Sequence, residues 1–213
     1  MMYLDVTVVL TSCGRLDLLE KTIKSLPLFF WHRLPHRILV DDSGDPEVHR
    51  ELERQKESGY LIGWHLLLHE KNLGQGHAID HAYERVSTPY IFHMEDDWEF
   101  IEYEFISRSL VILEQNPKLC QVTFRGNSPH PREKEIRGMG DTQHQILAPE
   151  FMGMWHGFTY NPNVFRKSCY DIVKPIGDRR EQDVGYEYYK NGLRTAITVI
   201  DSVRHIGDGR HVG

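Results

Sequence analysis

The fold is decided by residues 6–26, which read VTVVLTSCGRLDLLEKTIKSL. A β-branched run is followed by a polar turn and then by apolar residues at helical spacing, so this stretch predicts a strand, a loop and a helix. Similar units follow, with predicted strands at 37–40, 64–68 and 90–94 and a helix over 75–86. Strands that alternate with helices predict right-handed crossovers and a mainly parallel α/β sheet covered on both faces.

The second half of the chain has a less regular pattern. We predict strands at 119–123 and 195–200, helices over 164–172 and from residue 181, and a long loop over 125–150. A length of 213 residues suits one globular domain that needs no metal or disulfide to form a core.

Composition excludes several classes of protein. The chain has 25 basic and 31 acidic residues, a net charge of −6, which disfavours a dedicated nucleic-acid binder and makes a nucleic-acid substrate improbable. Cys13, Cys120 and Cys169 are widely spaced, as is usual in a reducing compartment such as the cytoplasm. The longest apolar run, Leu26–Trp31, is far shorter than the roughly 20 residues of a membrane span, and no signal-peptide pattern precedes it, so we expect no membrane insertion.

The strongest chemical signal is the acidic run Glu95-Asp96-Asp97, directly after the predicted fourth strand. Ligands of parallel sheets bind at the carboxyl ends of the strands, and adjacent carboxylates repel one another unless a divalent cation or sugar hydroxyls compensate them. The alternative is a helix cap, because Glu99 and Glu102 follow at helical spacing. A cap needs one carboxylate and this strand supplies three, so we favour the metal.

A second pair of acids, Asp41-Asp42, ends the second predicted strand. It fits either a capped turn or recognition of a base or ribose by a carboxylate. The segment from Asn72 to Gly76 resembles a phosphate loop, but Ile79 stands where the dinucleotide fingerprint needs its third glycine. A tight strand-to-helix turn that brings Lys71 near a phosphate is the better interpretation.

Histidines give weaker signals. His77 and His81 are four residues apart, a spacing that can bind zinc, but Ala78 occupies the position where a metalloprotease needs glutamate. His205 follows the last predicted strand and is either a metal ligand or a solvated surface residue.

Glu181 and Asp183 begin a predicted helix. There, a carboxylate serves either as a cap or as a general base.

Taken in order, residues 8–15, 39–45, 72–74 and 93–97 closely resemble a GT-A-fold glycosyltransferase of the family 2 type. Later landmarks extend the resemblance over most of the chain: 157–166 is similar to the acceptor-side segment, 181–183 with Leu193 to the helix that bears the base, and 205–207 to the last metal-ligand region. The resemblance implies a GT-A fold with a Rossmann-like sheet and a smaller acceptor-side region. It divides the single domain, 1–213, into a nucleotide-sugar half (1–98) and an acceptor and base half (99–213).

The resemblance also implies roles by position. Asp42 would contact the base, Asp96 would lie near the ribose, and Asp97 would ligate Mn²⁺ or Mg²⁺ on the diphosphate, with His205 as a further ligand and His211 as the reserve choice. The residues expected to bind the donor are Thr11, Ser12, Arg15, Asp41, Asp42, Lys71, Asn72, Gly74 and Asp96.

Asp183 would be the catalytic base. Gln182 replaces the acid usual before that base, which leaves Glu181 as a rival. The metal motif is Glu-Asp-Asp instead of Asp-x-Asp, a variant that resembles the motif of N-acetylglucosaminyltransferase I. A metal on one side of the sugar and a base on the other predict inversion at the anomeric carbon.

Trp98, Trp155, His156 and Gly157 are the acceptor-side candidates, because aromatic faces stack on sugars, although burial in the core is the commoner place for an aromatic ring. The expected function is transfer of a sugar from a nucleotide-sugar donor to a hydroxyl, with a UDP-sugar as the favoured donor. One alternative is a sugar-1-phosphate nucleotidyltransferase, which needs a glycine-rich first loop where only Gly14 is present. The other is a non-catalytic nucleotide- or carbohydrate-binding module.

Overall fold

The computed structural model describes residues 4–148 and 157–210. Its strands are β1 (Val6–Ser12), β2 (His36–Asp41), β3 (Trp64–Leu68), β4 (Tyr90–Glu95), β5 (Trp98–Phe100), β6 (Leu119–Thr123), β7 (His144–Ile146), β8 (Asn163–Arg166), β9 (Arg194–Thr198) and β10 (Val203–His205). Its helices are α1 (Leu16–Ser25), α2 (Leu28–His32), α3 (Pro46–Glu57), α4 (Gln75–Tyr83), α5 (Phe105–Gln115), α6 (Lys167–Val173) and α7 (Glu181–Lys190).

Eight strands of these two ranges form one sheet in the order β3-β2-β1-β4-β8-β6-β9-β7. The first four are mutually parallel, β6 and β9 are parallel, and β8 runs antiparallel between β4 and β6. The predicted α/β class with a mainly parallel sheet is therefore confirmed. In register, Ser12 lies beside Asp41 and Thr11 beside Glu95, so the loops after β1, β2 and β4 meet at one edge.

Apolar clusters cover both faces of the sheet. Along β1, Val8 and Leu10 belong to one cluster and Val9 to the other, because successive side chains of a strand point to opposite faces. Helices α1, α2 and α5 contribute buried apolar residues to the first cluster, and α4, α6 and α7 contribute theirs to the second.

The helix-cap alternative for the acidic run does not hold, because residues 98–100 form β5, which pairs antiparallel with β10, and the following helix starts only at Phe105. Asp96 and Asp97 therefore form the turn between β4 and β5. One local prediction, the helix over 164–172, was wrong at its start. Residues 163–166 are strand β8, because Val164 and Phe165 are buried between β4 and β6, and only the rest of the predicted helix is helical.

Nowhere in 4–148 or 157–210 is a helix both long and apolar enough to cross a bilayer.

Candidate active site

A cleft of about 230 Å³ opens at the carboxyl ends of β1, β2 and β4, and we call it the aspartate cleft. Residues predicted from the sequence to bind donor or metal that line it are Thr11, Ser12, Arg15, Asp42, Asn72, Gly74, Asp96 and Asp97. The parallel register brings these loops together from four separate stretches of the sequence.

Arg15 compensates the two aspartates of the acidic turn. Its guanidinium forms ion pairs with both Asp96 and Asp97, at 2.9 Å to Oδ2 of Asp97. Ser12 Oγ also donates to Asp96 Oδ2 at 3.0 Å. Burial nevertheless raises the pKa of Asp96 to about 6, against the lowering effect of Arg15.

Thr22 of α1 braces this turn, since its hydroxyl donates to the Asp96 carbonyl at 2.7 Å and accepts from the Trp98 amide at 3.2 Å.

Asp97 and His205 are adjacent although they lie far apart in the sequence. His205 Nε2 is 3.3 Å from Asp97 Oδ2, and Asp97 Oδ1 is buried with no hydrogen-bond partner among the described residues. Gly207 packs on the same carboxylate so closely that a Cβ there would lie 2.5 Å from Oδ2. Oxygen and imidazole donors suit a divalent cation, although residues 4–148 and 157–210 contain no cluster of three or more His, Cys, Asp or Glu side chains able to hold one.

Glu95 lies between two regions of the site. Its carboxylate accepts from Trp98 Nε1 at 3.0 Å and from Gln75 Nε2 at 2.7 Å. Burial, with a smaller contribution from Asp97, raises the pKa of Glu95 to about 8. The first acid of the run is thus held by side chains of the protein and favours its neutral form at neutral pH.

Asp42 and Asp41 play different parts. Asp42 lines the cleft and accepts from the backbone amides of Leu73, at 2.9 Å, and Gly74, at 2.8 Å. Asp41 is fully buried behind it and accepts from the backbone amides of Gly14 and Ser43, each at 3.0 Å. Asp41 therefore ties the loops after β1 and β2 together.

Lys71 packs its backbone against Gly44, where an added Cβ would come within 2.7 Å of the Lys71 Cα. Its side chain lies outside the lining of the aspartate cleft.

A second cleft, of about 470 Å³, adjoins the first, and we call it the Glu181 cleft. The two share Gly74, Gln75 and Glu95 in their walls. Glu181, at the first turn of α7, accepts from the Tyr160 amide at 2.5 Å. A carboxylate of α7 thus lines a cavity that it shares with Glu95 of the acidic run.

Asp183 lies outside the lining of the Glu181 cleft. Its side chain is 43% exposed and accepts from the Arg180 backbone amide and the Arg180 Nε, each at 3.2 Å. The hydrogen bonds from Arg180 lower the pKa of Asp183. This is the geometry of a helix cap, which was the alternative interpretation of the motif.

The structure corrects the prediction for Trp98. Trp98 is 2% exposed, with its ring centroid 4.9 Å from that of His205, so the ring packs against His205 and is not available to an acceptor. Gly157 is buried, and its carbonyl accepts from the Thr195 hydroxyl. Trp155, His156 and His211 lie outside the described residues.

His77 and His81 do not share a ligand. His77 Nε2 is 3.1 Å from Asp178 Oδ1, whereas His81 Nδ1 is 2.7 Å from His69 Nε2, so the zinc interpretation has no support. His69 was missed by sequence reasoning. The signal was its position directly after β3, which matches that of the acids after β2 and β4.

Comparison with known proteins identifies a family for this sequence. The family described as "Glycosyl transferase family 2" matches residues 7–171. No curated protein matches the sequence.

Solved structures with a similar fold include the mannosyltransferase PcManGT from Pyrobaculum calidifontis in complex with GDP-Man and Mn²⁺, at TM-score 0.66 and 13% identity over 99% of this chain and 59% of that one. GalNAc-T7 with UDP, GalNAc and Mn²⁺ matches at TM-score 0.66 and 11% identity, over 93% of this chain and 43% of its own. S. aureus TarS 1-349 matches at TM-score 0.58 and 13% identity, over 91% of this chain and 58% of that one. The chain thus spans 43% to 59% of the length of these structures.

Proposed function

The chain belongs to glycosyl transferase family 2, and on that premise we propose that it transfers a sugar from a UDP-sugar to an acceptor hydroxyl, with a divalent metal and with inversion. One observation carries the proposal: the aspartate cleft and the Glu181 cleft meet at Gly74, Gln75 and Glu95. A sugar at that junction would have carboxylates for a metal-bound diphosphate on one side and a base on the other.

The proposed metal is Mn²⁺ or Mg²⁺, with Asp97 and His205 as its protein ligands. Two observations support this choice: Asp97 Oδ1 is buried and accepts no hydrogen bond from the part of the chain that the structure describes, and the His205 imidazole lies next to the same carboxylate. When bound, such an ion acts as a Lewis acid that stabilises the charge on a departing diphosphate. Mn²⁺ is present in the structures of PcManGT and GalNAc-T7, which supports the same class of ion here.

The proposed base is Glu181. The acceptor oxygen would attack the anomeric carbon as the bond from that carbon to the diphosphate breaks, and the hydroxyl proton would pass to the Glu181 carboxylate. Attack from the side opposite the diphosphate inverts the anomeric centre. Asp183 is the weaker candidate because Arg180 occupies its carboxylate.

The aspartate cleft is the proposed nucleotide site, in which Arg15 would turn from the two aspartates toward the diphosphate. Its two ion pairs in the present structure support this role, because a metal cation would take over the compensation of the aspartates and a diphosphate would offer Arg15 a new anionic partner. Residues 1–98 would then bind the donor, while 99–213 supply Glu181 and His205.

The test is a screen of sugar nucleotides with Mn²⁺ and with chelator. We expect metal-dependent release of UDP and, by NMR of the product, inverted anomeric configuration. Release of pyrophosphate from a nucleoside triphosphate would instead support a nucleotidyltransferase.

Calorimetry of UDP tests the metal site directly. Mn²⁺ should raise the affinity of the wild type for UDP, and Asp97→Asn should abolish the gain. Asp171→Asn, a surface carboxylate of α6 paired with lysines, is the matched control and should keep it. A gain retained in Asp97→Asn contradicts the assignment.

A further inference from the structure

Asp42, His69 and His81 form a hydrogen-bonded chain that leads away from the aspartate cleft. Asp42 Oδ1 lies 2.6 Å from His69 Nδ1, and His69 Nε2 lies 2.7 Å from His81 Nδ1. Asp42 and His69 are 4% and 6% exposed, while His81 on α4 is partly exposed. Buried polar groups at these distances are directional contacts and hold one another in place.

The donor and acceptor of each bond can be assigned from the neighbouring contacts. The Asp42 carboxylate also accepts from two backbone amides, so we assign His69 Nδ1 as the donor of the first bond. In the second bond we assign His69 Nε2 as the acceptor and His81 Nδ1 as the donor. Burial, with Arg85 and His69 as further causes, lowers the pKa of His81, which favours a neutral His81.

The carboxylate of Asp42 has about four acceptor positions, and within 4–148 and 157–210 three of them are filled, by Leu73, Gly74 and His69. Because Asp42 lines the aspartate cleft, its fourth acceptor position is available to a ligand there. A ligand that meets Asp42 there must offer a hydrogen-bond donor, because an acceptor placed against a fixed carboxylate is repelled.

We propose that His69 and His81 are positioning residues that hold Asp42 as a fixed acceptor, so that the cleft selects a nucleobase with a ring N–H, such as uracil, over cytosine. Uracil N3 donates a proton, whereas cytosine N3 only accepts. The inference rests on the proposed nucleotide site, and it adds the part of the chain that enforces the choice of base.

The experiment measures the affinities of UDP and CDP by calorimetry in Mn²⁺. We expect the wild type to prefer UDP by more than about tenfold, since cytosine would leave a buried acceptor of Asp42 without a donor. His69→Phe should reduce that preference about tenfold, and His69→Asn, whose amide can replace the Nδ1 donor, should restore most of it. His36→Ala, an exposed histidine at the start of β2, is the control and should keep the wild-type ratio.

The ratio separates positioning from structure, because general damage to the fold weakens both nucleotides alike. If His69→Phe does not fold, His81→Leu gives the test and should lower the ratio by a smaller factor. Nitrogen-15 NMR of the imidazoles should show Nδ1–H on both rings.

Three results would overturn the proposal. The first is a ratio of UDP to CDP affinity in His69→Phe that equals the wild-type ratio, and the second is equal affinity of the wild type for UDP and CDP. The third is a proton on Nε2 of His69 instead of Nδ1. If UDP-sugar turnover persists in any of these cases, the positioning role of His69 and His81 is wrong while the proposed function stands. If the wild type binds neither nucleotide and turns over no sugar nucleotide, both fail.

Discussion

The aspartate cleft and the Glu181 cleft share a wall but hold their carboxylates differently. In the aspartate cleft, Asp42 and Asp96 are buried, and each accepts hydrogen bonds from several donors of the protein. The Glu181 cleft is lined by Glu181, which accepts from the Tyr160 backbone amide, while the nearby Asp183 lies outside the lining with a side chain that is 43% exposed. Substitutions in the first cleft should therefore cost stability as well as binding, whereas those in the second should change turnover and leave the fold intact.

The largest effect is expected for Glu181→Gln. The amide keeps the size of the side chain and can still accept from Tyr160, but it cannot take a proton. We expect kcat to fall by about 10²–10⁴-fold, the usual contribution of a general base, with unchanged affinity for UDP. Asp183→Asn should stay within a few-fold of the wild type; the reverse ranking of the two variants would assign the base to Asp183.

Asp41→Ala tests the cost of a buried carboxylate behind the aspartate cleft. It leaves the amides of Gly14 and Ser43 without their acceptor, so we expect the free energy of unfolding in urea to fall by about 3 kcal/mol. Asp45→Ala is the matched control, because Asp45 caps α3 at an exposed position and should cost only about 1 kcal/mol. Equal losses would remove the contrast between buried and exposed acids.

The raised pKa of Glu95, which lines both clefts, should make the free energy of unfolding depend on pH. Its pKa in the folded protein is about 8, above the ordinary value of 4.5, so the native state keeps a proton that the unfolded chain releases. Stability is then highest below pH 4.5 for this group and falls as pH rises toward 8, by about 4 kcal/mol, because each pKa unit corresponds to about 1.4 kcal/mol. Urea unfolding at pH 5 and pH 8 should show this decline in the wild type, and Glu95→Gln should reduce it; an equal decline in both would exclude Glu95 as its source.

The smallest effect is expected for Arg180→Ala at the rim of the Glu181 cleft. Arg180 pairs with Asp183 three residues away, and both side chains are exposed. Exposed pairs of this kind contribute little because water and salt screen them, so the free energy of unfolding in urea should hardly change. A loss as large as that of Asp45→Ala would mean that this cleft also depends on its ion pairs for stability.

Sequence patterns were sufficient for the first half of the fold. Short apolar runs bounded by polar turns predicted β1 to β4, and the predicted strand 64–68 coincides with β3. Because those strands are parallel, the rule that ligands bind at their carboxyl ends also identified the loops that form the aspartate cleft.

The second half depends on contacts that a local pattern does not contain. Val164 and Phe165 are apolar in a helix or in a strand, and only pairing with β4 and β6 makes them β8. Glu181 and Asp183 are two positions apart on α7, and residues at that spacing face different directions on a helix. The sequence therefore left both as candidates, and the direction of the helix face separates them.

The close approach of Gly207 to Asp97 limits which residues position 207 can accept. It sits in an ordinary loop near the end of the sequence, where most substitutions are harmless, yet even alanine would press a methyl group into the Asp97 carboxylate. A saturation scan should show an intolerant site with no charge, no aromatic ring and no regular secondary structure to explain it, and a designer should keep that position fixed.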